Sequence, residues 1–259
     1  MPSTQSRPTL SLLTTLAAAV ISVVLMVPAA AAPPVAAADG DVSGMSVFLD
    51  PGHNAIDDGS LTQQVPNGRN GTKDCQTTGT ATDDGYPEHT FNWDVALRVR
   101  DELVQRGVRV QMSRPDDGSV GPCVDQRAAE ANAMHPDVDV SIHADGGPPS
   151  GSGFHVNYSA PPLNDAQSGP AMQLATTMRD ALITHGLRPA TYIGADGLYG
   201  RADLAGLNLA AYPAVLVELG NMRNSAEAAQ MQSAEGRQRY AEAVVAGIIA
   251  YLSQKPTTG

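Results

Sequence analysis

Aromatic residues make up only 4% of the 259-residue chain, with one Trp and three Phe. So few rings exclude tandem aromatic-rich repeats that stack sugars or choline. Basic residues are also scarce: 16 Lys and Arg stand against 27 Asp and Glu, for a net charge of −11. With no basic stripe to neutralise phosphates, a nucleic-acid partner is excluded. Charged residues of all kinds reach 17%, below the usual quarter or so. Cysteine occurs twice, enough for one disulfide at most and spaced unlike a zinc knuckle. Beyond Val27 there is no second long apolar run, so nothing later in the chain reads as a membrane span.

The one long apolar run lies at the start. Arg7 is followed by apolar sequence from Leu10 to Val27 and then by Pro28 and four alanines. A basic start, an apolar middle and a small-residue exit read as a secretory signal peptide over residues 1–38. An uncleaved anchor is the alternative, but no cationic stop follows the run. Cleavage would leave residues 39–259, some 220 residues, with 15 basic against 27 acidic side chains and a charge of −12. That length suits one α/β domain with a proper core, expected to be secreted to the periplasm or cell wall, monomeric, and free of stable membrane association.

Hydrophobic spacing predicts the elements. Ser46–Asp50, Val108–Met112, Val138–Ile142, Gly153–Tyr158 and Pro213–Val217 read as strands. Glu88–Arg106 carries Phe91, Val95, Val99 and Leu103 every four residues and reads as a helix stopped by Gly107. Val124–Met134, Pro170–His185 and Gly236–Leu252 read as further helices. Strands alternating with helices argue a mixed, mostly parallel sheet of about five to six strands, flanked by helices on both faces. Residues 54–87 show no periodicity, and a loop of that length is rare unless it has a job or a staple. In a secreted chain Cys75 and Cys123 are expected to pair, stapling that loop as one wall of a cleft.

Three predicted strands end in polar residues that would be odd as core: Asp50-Pro-Gly-His53, Ser141-Ile-His143 and Val217-Glu218. Ligands of open α/β sheets bind beyond the carboxyl ends of the strands, so His53, His143 and Glu218 are expected to converge in one crevice. Imidazoles and a carboxylate suit a catalytic zinc with one position left for water. Glu88, at the first turn of its helix, is a candidate third ligand, and its neighbour His89 is another. The spacing contains no H-E-x-x-H, so any metal site must be assembled by tertiary structure.

The segments DPGHN, YPEHT, SIHADG and PAVLVELGN, in that order, resemble the type 3 family of zinc-dependent N-acetylmuramoyl-L-alanine amidases. The whole mature chain is similar to small secreted peptidoglycan amidases of mycobacteria. The resemblance implies a single α/β domain, Zn2+ held by His53, Glu88 and His143, and Glu218 as the catalytic glutamate. It implies cleavage of the amide between the lactyl group of N-acetylmuramic acid and L-alanine, in peptidoglycan or muropeptides. Asn54, Asn208 and Asn221 depart from the family, standing where glycine, a basic residue and an aromatic are respectively common. The rival readings are another zinc amidohydrolase of the wall, such as a carboxypeptidase or deacetylase, and an inactive wall-binding module.

The remaining histidines read as follows. His135 and His185 close helices, where imidazole suits the last carbonyls. His155 alternates with Phe154 and Val156 and is expected at solvent or the cleft rim. Asp145, two residues after His143, is either a hydrogen-bonding support for a metal-bound histidine or exposed. The stretch Ala144–Ser152 is too short for an inserted blocking helix. The acidic balance predicts no attraction to an anionic wall and favours small or soluble fragments.

Overall fold

The apolar runs fold into strands and the four-residue spacings into long helices, over the part of the chain that the structure describes. The structure is a computed structural model that describes Met1 and residues 41–254. The expected export signal, apart from Met1, and its cleavage point lie outside the described residues.

In chain order the elements are β1 (Ser46–Pro51), β2 (Gln64–Pro66), β3 (Thr72–Asp74), α1 (Glu88–Gln105), β4 (Arg109–Met112), α2 (Val124–Met134) and β5 (Val138–Asp145). There follow β6 (His155–Ser159), α3 (Asp165–Ser168), α4 (Pro170–Thr184), β7 (Leu198–Arg201), α5 (Ala205–Leu209), β8 (Ala214–Asn221), α6 (Ser225–Gln232) and α7 (Ala234–Leu252). Six strands form one sheet in the order β4-β1-β5-β8-β6-β7. The first four run parallel, β6 is antiparallel to β8, and β7 is parallel to β6. The sheet is therefore mixed and mostly parallel, as the alternating pattern predicts.

The two faces of the sheet are covered unequally. Val47, Leu49, Val140, Ile142, Val217 and Leu219 pack with Phe91, Val95 and Val99 of α1, Leu174 and Met178 of α4, and Val244 and Ile248 of α7. Each of these large side chains contributes about 1.5–3 kcal/mol by leaving water. Phe91 and Tyr240 join α1 to α7 edge-to-face, with ring centroids 5.5 Å apart. Among the described residues the opposite face is covered by α2, α5 and the small β2–β3 hairpin, with α3 bonded to the end of α5. There Leu207, Ala210 and Ala214 form a separate apolar cluster. The thin side is also the polar side: Asp50, Ser141, His143, Glu218 and His155 alternate with the core residues along their strands.

One buried cation shapes the exit of β1. Arg127, on α2, is 3% exposed. Its guanidinium donates to Asp50 Oδ1 (2.7 Å), to the carbonyls of Pro51 (2.9 Å), His53 (3.0 Å) and Pro122 (3.0 Å), and to Asn54 Oδ1 (2.6 Å). The Asp50 carboxyl also accepts from Ser113 and Ser141 hydroxyls. Burial would raise its pKa, but Arg127 and these hydroxyls outweigh that and hold it far below the carboxylate range. Arg127→Met removes the partner and leaves Asp50 uncompensated. The expected loss is about 3–5 kcal/mol of stability, read from the midpoint of urea unfolding; a loss near zero would show that the clamp does not hold the strand exit.

Candidate active site

β1 leaves the sheet at Pro51 and turns through Gly52 into His53. β5 continues to His143, and α1 begins at Glu88. The parallel pairing of β1 with β5, which sets Pro51 against Ile142, brings these three segments to one edge. Glu88 Oε1 lies 3.0 Å from His53 Nε2 and 3.0 Å from His143 Nδ1. One ligand atom from each residue lies within 4.8 Å of the others, a group able to hold a metal ion. Burial opposes the charge on Glu88, yet the two imidazoles hold its carboxyl well below the usual range.

Two of the three donors, Glu88 and His53, are oriented by further contacts. Glu88 Oε1 also accepts from Ala144 N (3.2 Å) and Asn92 Nδ2 (3.3 Å), and Oε2 accepts from Thr80 N (2.9 Å). His53 Nδ1 faces Thr77 O (3.2 Å) and Thr77 Oγ1 (2.9 Å). A proton on Nδ1 satisfies Thr77 and leaves Nε2 bare toward the cluster, the arrangement a ligating histidine needs. The backbone approaches so closely that side chains are excluded at two places. A Cβ on Gly52 would lie 2.2 Å from His143 Nε2, and one on Gly79 would lie 2.5 Å from Glu88 Oε2. His53 itself sits at φ 69°, a left-handed conformation that costs a non-glycine residue about 1–2 kcal/mol. The Arg127 bond to its carbonyl and the Asn54 N bond to Thr77 O (3.2 Å) hold it there.

Residues 54–87 are not a plain loop: they contain the β2–β3 hairpin. Cys75 and Cys123 are joined in a disulfide across 48 residues. It ties the segment before Thr77 to the start of α2, and Val124 N donates to Cys75 O at 2.9 Å. Thus α2 steadies His53 twice, through Arg127 and through the disulfide-tethered Thr77.

Glu218 lies on β8 in register with His143 of β5 and with His155 of β6. Burial, then the charges of Glu88 and Asp145, push its carboxyl well above the usual range, against the pull of Arg201. Beside the cluster a cavity of about 470 Å³ runs over the thin face, lined by His53, His143, Phe48, Asp139, Val124 and Leu207.

The structure separates the remaining candidates. His89 Nδ1 meets Asp117 at 2.8 Å and is not part of the cluster. His135 contacts the Tyr212 hydroxyl and His185 the Ala181 carbonyl, both at helix ends. His155 is 2% exposed, which corrects its expected place at solvent or the rim: the rings of Tyr192 and Tyr199 cover it. Asp145 accepts from the Tyr192 hydroxyl at 2.9 Å rather than supporting His143. Asn54, Asn208 and Asn221 are all buried braces. Asn54 accepts from Arg127, Asn208 joins Arg69 to the carbonyls of Asn67 and Ala202, and Asn221 donates to Pro148 O and Gly151 O. Nothing in the sequence singles out Thr77, and only a spacing of one helical turn from Glu88 singles out Asn92.

An α/β sheet with two histidines and a glutamate gathered at its strand ends defines a hydrolase scaffold with a candidate metal site. Residues 47–250 match the model of the Amidase_3 family, N-acetylmuramoyl-L-alanine amidase. The chain belongs to this family of peptidoglycan amidases. It is 59% identical over 218 residues to the N-acetylmuramoyl-L-alanine amidase Rv3717 of Mycobacterium tuberculosis, covering 84% of this chain and 90% of that one. The crystal structure of the amidase Ami1 from Mycobacterium smegmatis matches with a TM-score of 0.82 and 61% identity, over 83% of this chain and 100% of that chain. The apo form of Ami1 from Mycobacterium abscessus matches with a TM-score of 0.80 and 61% identity, over 81% and 99%.

The disulfide closes a loop of 48 residues, for which chain entropy predicts about 4 kcal/mol of stabilisation. Reduction, or Cys75→Ser, is expected to lower the unfolding midpoint and to speed amide hydrogen exchange across residues 54–87. Unchanged exchange there would show that the staple does not restrain the loop.

Proposed function

We propose that the chain hydrolyses the amide joining the lactyl group of N-acetylmuramic acid to L-alanine, with zinc held by His53, Glu88 and His143 and with Glu218 as the acid–base residue. The observation that carries this reading is the convergence of three ligand atoms within 4.8 Å, with Glu218 one strand away. The donors fit the ion. Zinc takes imidazole nitrogen and carboxylate oxygen at about 2.0–2.2 Å, so tetrahedral ligands lie about 3.4 Å apart; the two histidine nitrogens each lie 3.0 Å from Glu88 Oε1. The set of three also leaves a position for water or substrate.

When bound, zinc supplies a Lewis acid that polarises the scissile carbonyl and lowers the pKa of water. The chain's own groups do the rest. Glu218 takes the proton of the attacking water and delivers it to the departing amine of L-alanine. The C–O bond to the water oxygen forms first, and the C–N bond then breaks as the amine receives the proton, so one water is consumed. Asn92, Ala144 N and Thr80 N hold Glu88 still, while Thr77 and Arg127 hold His53, so the donors need no reorganisation during reaction.

In this reading residues 1–38 export the chain and residues 39–259 work outside the membrane as a monomer on peptidoglycan or its muropeptides. Among the described residues no helix is long and apolar enough to cross a membrane. With residues 1–38 removed, 15 basic against 27 acidic side chains support action on small or soluble fragments over tight adhesion to an anionic wall.

Two experiments test the reading. With muramyl dipeptide and zinc, mass spectrometry should detect free lactyl-muramic acid and the released dipeptide. Glu218→Ala should lower kcat by at least about 100-fold, and chelation should abolish turnover. Full activity in Glu218→Ala would refute Glu218 as the acid–base group. The ligand set is checked without catalysis: zinc should raise the melting temperature of the wild type by mass action, and the rise should vanish in His53→Ala and His143→Ala. A zinc response that survives both would refute these ligands.

A further inference from the structure

Three buried polar atoms on neighbouring positions of β8 and β6 have no hydrogen-bond partner: Glu218 Oε2, His155 Nδ1 and Asn157 Oδ1. Buried polar atoms are nearly always satisfied, and those that are not tend to have a working role. His155 and Glu218 are directly opposed in the antiparallel β6–β8 pair. Their side chains therefore leave the sheet on the same face, with Cβ atoms about 4.5–5.5 Å apart. Asn157, two residues along, commits its amide to Leu216 O at 3.3 Å and does not compete for Glu218.

The surroundings pack against the His155 ring and keep it neutral. Tyr192 and Tyr199 stand edge-on to it, with centroids 6.3 and 6.1 Å away. Beyond Glu218 opposite, the charged groups that act on it are Asp145 and Arg201. Burial lowers the imidazole pKa to about 4, against the pull of Asp145 and with help from Arg201. A neutral imidazole carries one N–H, and its position follows the available acceptor.

We propose that His155 is a positioning residue for Glu218: after a small side-chain rotation, its Nδ1–H donates to the inner carboxylate oxygen, Oε2. This rests on the reading of Glu218 as the acid–base group. With Oε2 tethered, the carboxylate cannot swing about its last torsion, and its other oxygen is presented in one orientation to the water and the leaving amine. The device acts on turnover rather than on binding, because it touches Glu218 and not the substrate.

The test uses the zinc-loaded enzyme with muramyl dipeptide. His155→Leu should lower kcat about 10–100-fold with KM changed less than about twofold, the range found when an orienting partner is lost. His155→Asn, close to Leu in size, offers an amide N–H near the place of Nδ1 and should recover most of that loss. Equal kcat for the two variants, or a change confined to KM, overturns the proposal. A second measurement needs no variant. Ring nitrogen shifts of wild-type His155 should show the proton on Nδ1; a bare Nδ1 overturns the proposal even if the variants fail to fold. The underlying reading fails separately, through a fully active Glu218→Gln. An inactive Glu218→Gln beside an unimpaired His155→Leu refutes the role of His155 alone.

Discussion

A single oxygen, Glu88 Oε1, accepts from two nitrogens of the supporting scaffold, Ala144 N and Asn92 Nδ2, while facing His53 Nε2 and His143 Nδ1. A buried carboxylate is tolerated only when it is paired and hydrogen-bonded, and here the partners come from three places: the end of β1, the end of β5 and the next turn of α1 itself. The first turn of α1 must meet the ends of β1 and β5 at one height. Parallel pairing of those strands, with α1 packed on the thick face, is the arrangement that achieves it. The geometry of the site is thus a consequence of sheet register, and a slip of one residue would turn His143 to the opposite face.

The pairing of a crowded face with a sparse one explains the rest of the layout. The long helices α1, α4 and α7 bury the apolar side of the sheet and supply most of the hydrophobic stabilisation. The other side carries short α2 and α5, the β2–β3 hairpin and a cavity beside the histidines. Polar side chains needed for chemistry can project there without being forced into a core. Arg127 and the Cys75–Cys123 bond brace this side where packing alone is thin, and both act on the segment that carries or orients His53.

Much of this is legible in the sequence because periodicity and strand-end chemistry are local signals. The run from Glu88 to Arg106 repeats its apolar residues every four positions, and α1 forms over Glu88–Gln105. DPGHN and SIHADG mark strand ends directly. Other features leave no such trace. The strands β2, β3 and β7 are three or four residues long, too short to show alternation. His155 reads as a residue of solvent or the cleft rim because it alternates with Phe154 and Val156, yet Tyr192 and Tyr199 arrive from far along the chain to bury it. Arg127 looks like an ordinary helix cation until its five acceptors, all before the helix in sequence, are brought around it.

The donors of the candidate metal site belong to two kinds of structure. His143 stands on a central strand of the sheet, whereas His53 depends on a long connection kept in shape by one covalent link and one guanidinium. Opening of that connection and opening of the whole domain are therefore distinct events with distinct free energies. By linkage, whatever ion spans both donors couples them, since its affinity contains the work of closing the connection. Metal affinity then carries a contribution from how well residues 54–87 are folded, on top of the stability of the core beneath.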